Sequence, residues 1–255
     1  MRKALSAVGL LLLAGSLARG GEFFDVRVEA GLEVGRQSIE AIDGDLDYST
    51  TVFQPYAQVS RYGNGPCFSL RVRGLFAVDE DTDIENIDYE TQTEGFDIQG
   101  LVGFGVSLPL VKLAPVIGLS FREVRTESDP DDNDYGDIDY RFDMLLLEIG
   151  AHAEAKLGKV RALAQVTVGP VLAGSSELKM DAADISDDAD IGFFEGYHLE
   201  MRAGIDYKLA PMAALHLGLA YERFADETDE FEDLGEASED ELDRIVFVFG
   251  VAVSF

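Results

Sequence analysis

The feature that most constrains the fold of this chain is a strict alternation of apolar residues with polar or small ones. Between Val26 and Val34, every even position is apolar, while the odd positions carry Arg27, Glu29 and Glu33. Successive side chains of a β-strand point to opposite faces of the sheet. The pattern therefore predicts a strand with one apolar face and one polar face.

The same alternation returns along the chain and predicts ten strands. Two of them are less regular because they contain Pro55 and Pro115, and proline removes a hydrogen-bond donor from a sheet. The predicted strands lie at 24–34, 52–61, 68–78, 96–108, 113–125, 145–153, 160–168, 197–207, 215–221 and 245–255.

The connections between these strands alternate between short turns and long acidic loops. The short ones hold glycine, proline, asparagine or lysine, which is typical of hairpins. The long ones hold 35 of the 49 acidic residues and lie at 37–50, 79–95, 126–138, 174–192 and 225–243. Up-and-down strands place alternate connections at opposite ends of a sheet, so all five acidic loops should lie at one end.

These observations predict an all-β fold, a closed antiparallel up-and-down transmembrane β-barrel of about ten strands. The exact number of strands, between about eight and twelve, is not fixed by the pattern. Barrels of this kind have short turns at one rim, long loops at the other and an apolar outer face. A closed wall leaves no unpaired backbone edge in lipid. The alternative is a secreted β-sandwich, whose short strands and turns give a similar pattern.

The first 20 residues predict a signal peptide, with Arg2 and Lys3 before an apolar run and small residues after it. The domain from 21 to 255 would then be an exported barrel in the outer membrane of a diderm bacterium. The single cysteine, Cys67, excludes an intramolecular disulfide framework.

The last strand, RIVFVFGVAVSF, carries a terminal aromatic residue, Phe255, with Val253 two residues before it and Gly250 five before it. This ending resembles the C-terminal assembly signal of bacterial outer-membrane β-barrel proteins, although Val248 departs from the usual polar residue. The resemblance implies recognition by the barrel-assembly machinery and contact with outer-membrane lipid.

Aromatic residues near the strand ends predict two belts at the membrane interfaces. The belt at the turn rim would hold Tyr62, Phe68, Tyr207 and Phe255. The belt at the loop rim would hold Phe53, Phe76, Phe96, Phe121, Tyr140, Tyr197, Tyr221 and Phe247.

The polar face of the strands predicts a lumen full of charged side chains. Buried charges need partners, so we interpret this set as an ion-pair network that fills the barrel; a constricted pore lined by the same groups is the alternative. The set comprises Glu29, Glu33, Arg71, Arg73, Asp97, Arg122, Glu148, His152, Glu154, Arg161, His198, Glu200, Arg202, Asp206, His216, Glu222 and Arg244.

Catalysis of the kind found in the omptin proteases, which are also ten-stranded barrels, would require paired acids at one rim and an aspartate–histidine pair at the other. Asp81 and Asp83 could supply the paired acids. The three histidines lie within predicted strands with no aspartate beside them in the sequence, so we expect no active site.

The acidic loop at 126–138 suggests a weak metal site, because hard cations bind clustered oxygen ligands. Its candidate ligands are Asp129, Asp131, Asp132, Asp134 and Asp137. An EF-hand beginning at Asp131 would need a glutamate at its twelfth position, where Phe142 stands. We therefore expect loosely bound divalent cations and no other cofactor; acidity from salt adaptation of the host is an open alternative.

The function predicted from the sequence is non-enzymatic: a monomeric outer-membrane barrel with a charge-paired lumen and acidic surface loops. The net charge of −29 excludes nucleic acid as a partner, since phosphates would be repelled, and favours cationic surface partners. The first alternative is a narrow porin-like channel, and the second is an omptin-like protease.

Overall fold

The computed structural model describes residues 26–41, 46–77, 80–84, 87–130, 137–180, 185–228 and 238–255. The predicted signal peptide and parts of the acidic segments lie outside these ranges. All regular elements in the described ranges are β-strands. No helix in them has the length and apolarity that a membrane span requires.

Twelve strands are present in the described ranges. In chain order they are β1 (Arg27–Ala41), β2 (Leu46–Arg61), β3 (Gly65–Ala77), β4 (Glu80–Ile84), β5 (Ile87–Ser107), β6 (Val111–Pro130), β7 (Ile138–Leu157), β8 (Val160–Met180), β9 (Ile185–Ile191), β10 (Gly196–Lys208), β11 (Ala213–Thr228) and β12 (Ser238–Ser254).

Ten of these strands form one closed antiparallel barrel, which confirms the predicted fold class. Around the wall, strands that follow one another in the chain are paired, and β1 closes the ring by pairing with β12 from Arg27↔Ser254 to Glu40↔Glu241. The short strands β4 and β9 pair with β5 and β8 beyond the points where β3 and β10 do. They therefore continue the positions of β3 and β10 in the wall.

The barrel has two unlike ends. Turns of two to four residues join β2 to β3, β5 to β6, β7 to β8 and β10 to β11 at the short-turn end. Gly65 and Gly158 adopt positive φ angles of 88° and 63° in two of these connections, a conformation that glycine adopts without strain. The described parts of the acidic segments lie at the opposite end, the long-loop end.

The outer surface of the wall is a continuous apolar band. Each of the ten barrel strands contributes a large apolar side chain at least 37% exposed, because the alternation places one apolar residue outward at every second position. These side chains include Leu32, Phe53, Leu70, Ile98, Leu119, Ile149, Val168, Met201, Leu217 and Phe249. An apolar surface of this extent marks contact with lipid or another protein.

The sheet continues well beyond the apolar band, into segments that the sequence analysis assigned to loops. The β5–β6 pair runs on to Tyr89↔Pro130, and the β11–β12 pair to Thr228↔Ser238. A strand of 21 residues such as β8 is roughly 70 Å long, about twice a bilayer's hydrocarbon thickness. Paired hairpins satisfy the backbone hydrogen bonds there, so the loop expectation was wrong for these residues.

The wall is interrupted between β9 and β10. Residues Gly192–Glu195 leave the sheet there, and the rings of Phe193 and Phe194 project outward, each 64% exposed, with their centroids 4.1 Å apart. Phe194 has a positive φ of 72°, and its backbone N–H donates to the Val171 carbonyl at 3.1 Å.

Candidate functional site

The interior of the barrel is the candidate site, because the inward face of each strand carries the predicted charged residues. All of the predicted lumenal residues face the interior, and their side chains are buried or nearly so. They separate into two groups along the barrel axis. The central charge network comprises Glu33, Arg71, Arg73, Asp97, Arg122, Glu148, His198, Glu200, Arg202, Glu222 and Arg244.

The second group, the short-turn cluster, lies nearer the short-turn end. It comprises Arg27, Glu29, His152, Glu154, Arg161, Asp206 and His216, and all of these occupy the end of their strand that is adjacent to a short turn or, in β1, paired with the end of β12.

Glu222 has the largest number of ion-pair partners among the carboxylates of the central charge network. Its carboxylate forms ion pairs with Arg122, with Arg73 at 3.2 Å and with Arg244 at 3.0 Å. The Nε2 atom of His198 lies 2.8 Å from the same carboxylate. Four cationic or potentially cationic groups from four strands therefore meet at one residue of β11.

A second centre forms around Glu200 on the neighbouring strand β10. The Nη2 atom of Arg71 lies 2.6 and 2.7 Å from its two oxygens, while Arg73 and Arg202 approach at 3.3 and 3.2 Å. Arg202 also binds Glu33. Arg73 links the two centres, because it contacts both Glu200 and Glu222.

His198 lies between two carboxylates in the centre of the barrel. Its Nδ1 atom lies 3.0 Å from Glu148 and its Nε2 atom 2.8 Å from Glu222, and the side chain is 1% exposed. The contact with Glu222 has hydrogen-bond geometry, while the contact with Glu148 is close but less well aligned. Ser120 donates a further hydrogen bond to Glu148 at 2.8 Å.

The central charge network is balanced in charge. Its five arginines pair with four carboxylates, Glu148 faces His198, and no arginine side chain in it is more than 14% exposed. Burying a charge without a partner costs several kcal/mol, whereas paired and hydrogen-bonded charges are tolerated. Each arginine of the network therefore has a carboxylate partner inside the barrel.

The short-turn cluster is organised around Asp206. Arg27 and Arg161 each lie 2.8 Å from this carboxylate, and Nδ1 of His216 lies 2.7 Å from it. Asp206 and His216 are directly opposite each other in the β10–β11 register. The expectation that no histidine lies beside an aspartate was therefore wrong, because ten residues of sequence separate a pair that the hairpin brings together.

His152 occupies the other side of the short-turn cluster. Its ring stacks on that of Tyr62, with centroids 3.5 Å apart and planes at 10°. The predicted position of Tyr62 in an outward aromatic belt was wrong, because its ring turns into the barrel mouth. A cavity of about 70 Å³ lies beside this stack and is lined by residues that include Arg27, Glu154 and Arg161.

Apolar side chains close the barrel on the long-loop side of the central charge network, and the sequence analysis did not foresee this apolar layer. Leu75 follows Arg73 by two residues, and Val124 and Phe224 follow Arg122 and Glu222 in the same way. The layer comprises Val52, Leu75, Val124, Tyr140, Phe142, Met144, Leu146, Val171, Ile191, Phe224 and Leu242, all buried.

Tyr140 and Phe142 show how the layer is packed. The ring of Phe142 stacks on that of Phe224 across the barrel, with centroids 6.1 Å apart and planes at 15°, and Tyr140 lies 6.1 Å from Phe142. Tyr140 is 7% exposed, so its predicted place in the outward belt was wrong. The signal was present in the run MLLLEI, which is apolar on both faces instead of alternating.

Charged side chains return on the outer face of the wall beyond the apolar band. Arg125 donates hydrogen bonds of 3.1 and 2.8 Å to Asp139, and Arg223 lies 2.6 Å from Glu241. The hydrogen bonds from Arg125 hold the pKa of Asp139 below its usual range. These exposed pairs mark the level at which the wall changes from an apolar to an aqueous environment.

The remaining predicted sites are only partly described. Asp129 and Asp137 flank residues 131–136, so the other three candidate metal ligands, Asp131, Asp132 and Asp134, lie outside the described residues. Among the described residues, no group of three or more histidine, cysteine or acidic side chains is placed to hold a metal.

The paired acids considered for proteolysis lie on β4. The backbone register places Asp81 opposite Glu90 and Asp83 opposite Asp88. Cys67 is buried in β3, with its thiol 3.5 Å from the Gly63 carbonyl oxygen.

The residues of the assembly signal lie on β12. Gly250 is opposite Gly31, Val253 is opposite Val28, and the backbone N–H of Phe255 donates to the Val26 carbonyl at 3.0 Å. Their role in assembly stays a prediction.

Comparison with known proteins gives a match by structure alone. No protein-family model matches the chain, and no curated protein matches it by sequence. Among solved structures, the outer-membrane protease OmpT from Escherichia coli matches 92% of this chain and 99% of its own, with 9% identity and a TM-score of 0.59. This chain has the fold of a bacterial outer-membrane β-barrel.

Two further barrels resemble the chain more distantly. The transport unit of the autotransporter AIDA-I from Escherichia coli matches 93% of this chain and 92% of its own, with 9% identity and a TM-score of 0.48. A major outer-membrane protein from Thermus thermophilus matches 90% and 99%, with 13% identity and a TM-score of 0.46. At these identities the likeness concerns the fold and not the function.

Proposed function

We propose that the protein is a non-enzymatic barrel of the bacterial outer membrane that carries a strongly acidic surface on a sealed scaffold. The apolar band would contact lipid, the short-turn end would face the periplasm and the long-loop end the exterior, as in outer-membrane barrels generally. The acidic segments would then attract divalent cations or cationic partners at the cell surface.

The observation that carries the proposal is the filling of the barrel. The central charge network and the apolar layer lie one above the other across the lumen, and both consist of buried side chains. A cavity beside Arg73 and Arg244 has a volume of about 10 Å³, which is close to the smallest that holds one water molecule. A hydrated ion is far larger than this space.

Recording currents across planar bilayers tests this proposal against the porin-like alternative. We expect the purified protein, inserted and folded, to give no stable conductance steps at moderate salt. Folding is verified in parallel by the shift in gel migration that heating causes in membrane barrels. Reproducible steps from folded protein would contradict a sealed barrel and support a pore through the charged interior.

The protease alternative has one observation in its favour, the fold shared with OmpT, and that likeness concerns the fold alone. Against it, His152, His198 and His216 are 6%, 1% and 8% exposed inside the barrel. The apolar layer separates them from a peptide at the long-loop end. We expect no cleavage of a peptide library; cleavage that disappears in Asp81→Asn or Asp83→Asn would establish the protease.

A further inference from the structure

We propose that the periplasmic mouth of the barrel is a binding site for a small oxyanion, either a phosphate or a carboxylate. The inference rests on the proposed function only for the orientation of the short-turn end toward the periplasm. The site is the cavity of about 70 Å³ beside the Tyr62–His152 stack, which has room for several water molecules or one small anion.

His152 is the first sign that this cavity can hold a ligand. The side chain is 6% exposed, and neither ring nitrogen makes a hydrogen bond of normal geometry within the described part of the chain. It faces Gln165 in the β7–β8 register and interacts with that amide, whose carbonyl oxygen also accepts a hydrogen bond from the Tyr62 hydroxyl at 3.4 Å. Buried polar groups normally have a partner, so a ligand or ordered water is expected here.

Two arginines beside the cavity also have unused donors. Among the described residues, Nε of Arg27 is buried and has no hydrogen-bond partner. The Nε and Nη2 atoms of Arg161 contact Asp206 at 3.0 and 2.8 Å, while the carboxylate recorded near its Nη1 in the described part of the chain is Glu154, at 3.9 Å. These arginine N–H groups favour a ligand that accepts hydrogen bonds, and the neutral ring of His152 can add one further donor.

The carboxylates near the cavity are already engaged with cations or a phenol. Glu29 binds Arg27 and accepts the hydroxyl of Tyr56, and Asp206 holds two arginines. Glu154 lies 3.8 and 3.6 Å from the ammonium groups of Lys112 and Lys156. They therefore repel an incoming anion less than free carboxylates would.

The rim around the cavity adds a positive field. Among the described residues at this end, seven bases stand against three acids, Glu29, Glu154 and Asp206. The bases are Arg27, Arg61, Lys112, Lys156, Lys159, Arg161 and Lys208. A concave site with an excess of one charge sign concentrates counter-ions of the opposite sign, in contrast to the acidic long-loop end.

Nuclear magnetic resonance of the histidine rings tests the site, because the chain has three histidines. The full mature protein would be labelled on histidine, folded in a phosphate-free detergent and titrated with inorganic phosphate or acetate at constant ionic strength. We expect a saturable shift of the His152 resonance and a much smaller one for His198, which the central charge network encloses. Assignment comes from His152→Gln, or from His216→Asn and His198→Asn by elimination.

Arg161→Gln is the decisive variant, since it removes a donor with spare capacity. It should weaken binding about tenfold, the usual effect of losing one charge-assisted hydrogen bond. Lys179→Gln makes the same charge change at the long-loop end and should leave the affinity unchanged. Equal weakening in both variants would show general screening and would overturn the site.

A phospholipid headgroup carries the same phosphate chemistry, so a second arm places the protein in phospholipid nanodiscs without added anion. If the His152 resonance in nanodiscs is already shifted from its position in phosphate-free detergent, and Arg161→Gln abolishes this difference, the headgroup is the source of the anion. If the resonance shifts only when phosphate or acetate is added, the ligand is a free anion. No saturable shift in either arm up to about 50 mM anion would overturn the proposal. That failure is independent of conductance, which tests the sealed barrel.

Discussion

The central charge network and the apolar layer fill neighbouring levels of the same lumen by opposite physical means. In the network, Glu222 and Glu200 each hold three arginines, so removing one partner leaves several charges uncompensated. In the layer, side chains such as Phe142 and Phe224 only fill space. The network therefore depends on the pairing of charges, while the layer fills the lumen above it with apolar side chains.

The largest expected effect comes from breaking the network at Glu222, which pairs with three arginines. Glu222→Gln leaves Arg73, Arg122 and Arg244 with an uncompensated buried charge, which should cost about 3–5 kcal/mol. Urea titration of folding into phospholipid vesicles measures this. Glu241→Gln removes the same charge from an exposed pair and should cost less than about 1 kcal/mol; equal losses would contradict the distinction.

A cavity in the apolar layer should lower the free energy of unfolding by somewhat less. The loss should depend on the volume of the side chain that is removed and not on its charge. Leu146→Ala should destabilise by about 2–5 kcal/mol, because Leu146 is 0% exposed and its removal leaves a void. Leu146→Met conserves volume and should cost less than about 1.5 kcal/mol. If both substitutions cost the same in the same urea titration, the layer is not closely packed.

The outer face supplies a third comparison, between lipid and water. Leu217→Arg places a charge within the apolar band and should cost about 2–4 kcal/mol near the bilayer midplane. Thr51→Arg, on the outward face opposite Arg36, should cost about 0–1 kcal/mol because it lies near the interface. Folding into vesicles again provides the free energies, and a reversed order would mean that the band does not contact hydrocarbon.

The smallest effect belongs to the exposed pair of Arg125 and Asp139. Asp139→Asn should cost about 0.2–1 kcal/mol at low salt and less at high salt, because water and ions screen the pair. The pKa of Asp139 is lower in the folded protein. Its contribution is therefore present above the unfolded pKa and is lost as pH falls through the folded one, a change that urea titration at several pH values would follow.

Most of the fold follows from alternation, but the contents of the lumen follow from it only in part. Alternation assigns Glu200 and Arg71 to the interior, because their neighbours in sequence are apolar. It cannot show that Asp206 meets His216, since that contact depends on the register of a hairpin. Alternation does not assign Met144 and Leu146 to the interior, because both faces of β7 are apolar there and no polar face identifies the inside.

The prediction that the acidic segments are loops was wrong for a related reason. Their composition is that of loops, yet the hairpin β5–β6 continues through them because paired backbone groups stabilise an antiparallel ladder regardless of side-chain charge. Local composition therefore predicted exposure to water correctly at Asp129 but not the secondary structure, because Asp129 lies in β6.

The most direct test of a lipid-facing wall around a sealed lumen is a spin-label scan along β12, with single cysteines in a Cys67→Ser background. Labels at Ile245, Phe247 and Phe249 should be relaxed by oxygen, which concentrates in lipid. Labels at Val246 and Val248, which are 2% exposed, should be reached by neither oxygen nor a water-soluble nickel chelate. Access of the nickel chelate to the even positions would mean an open lumen, and its access to the odd positions would mean a wall that faces water.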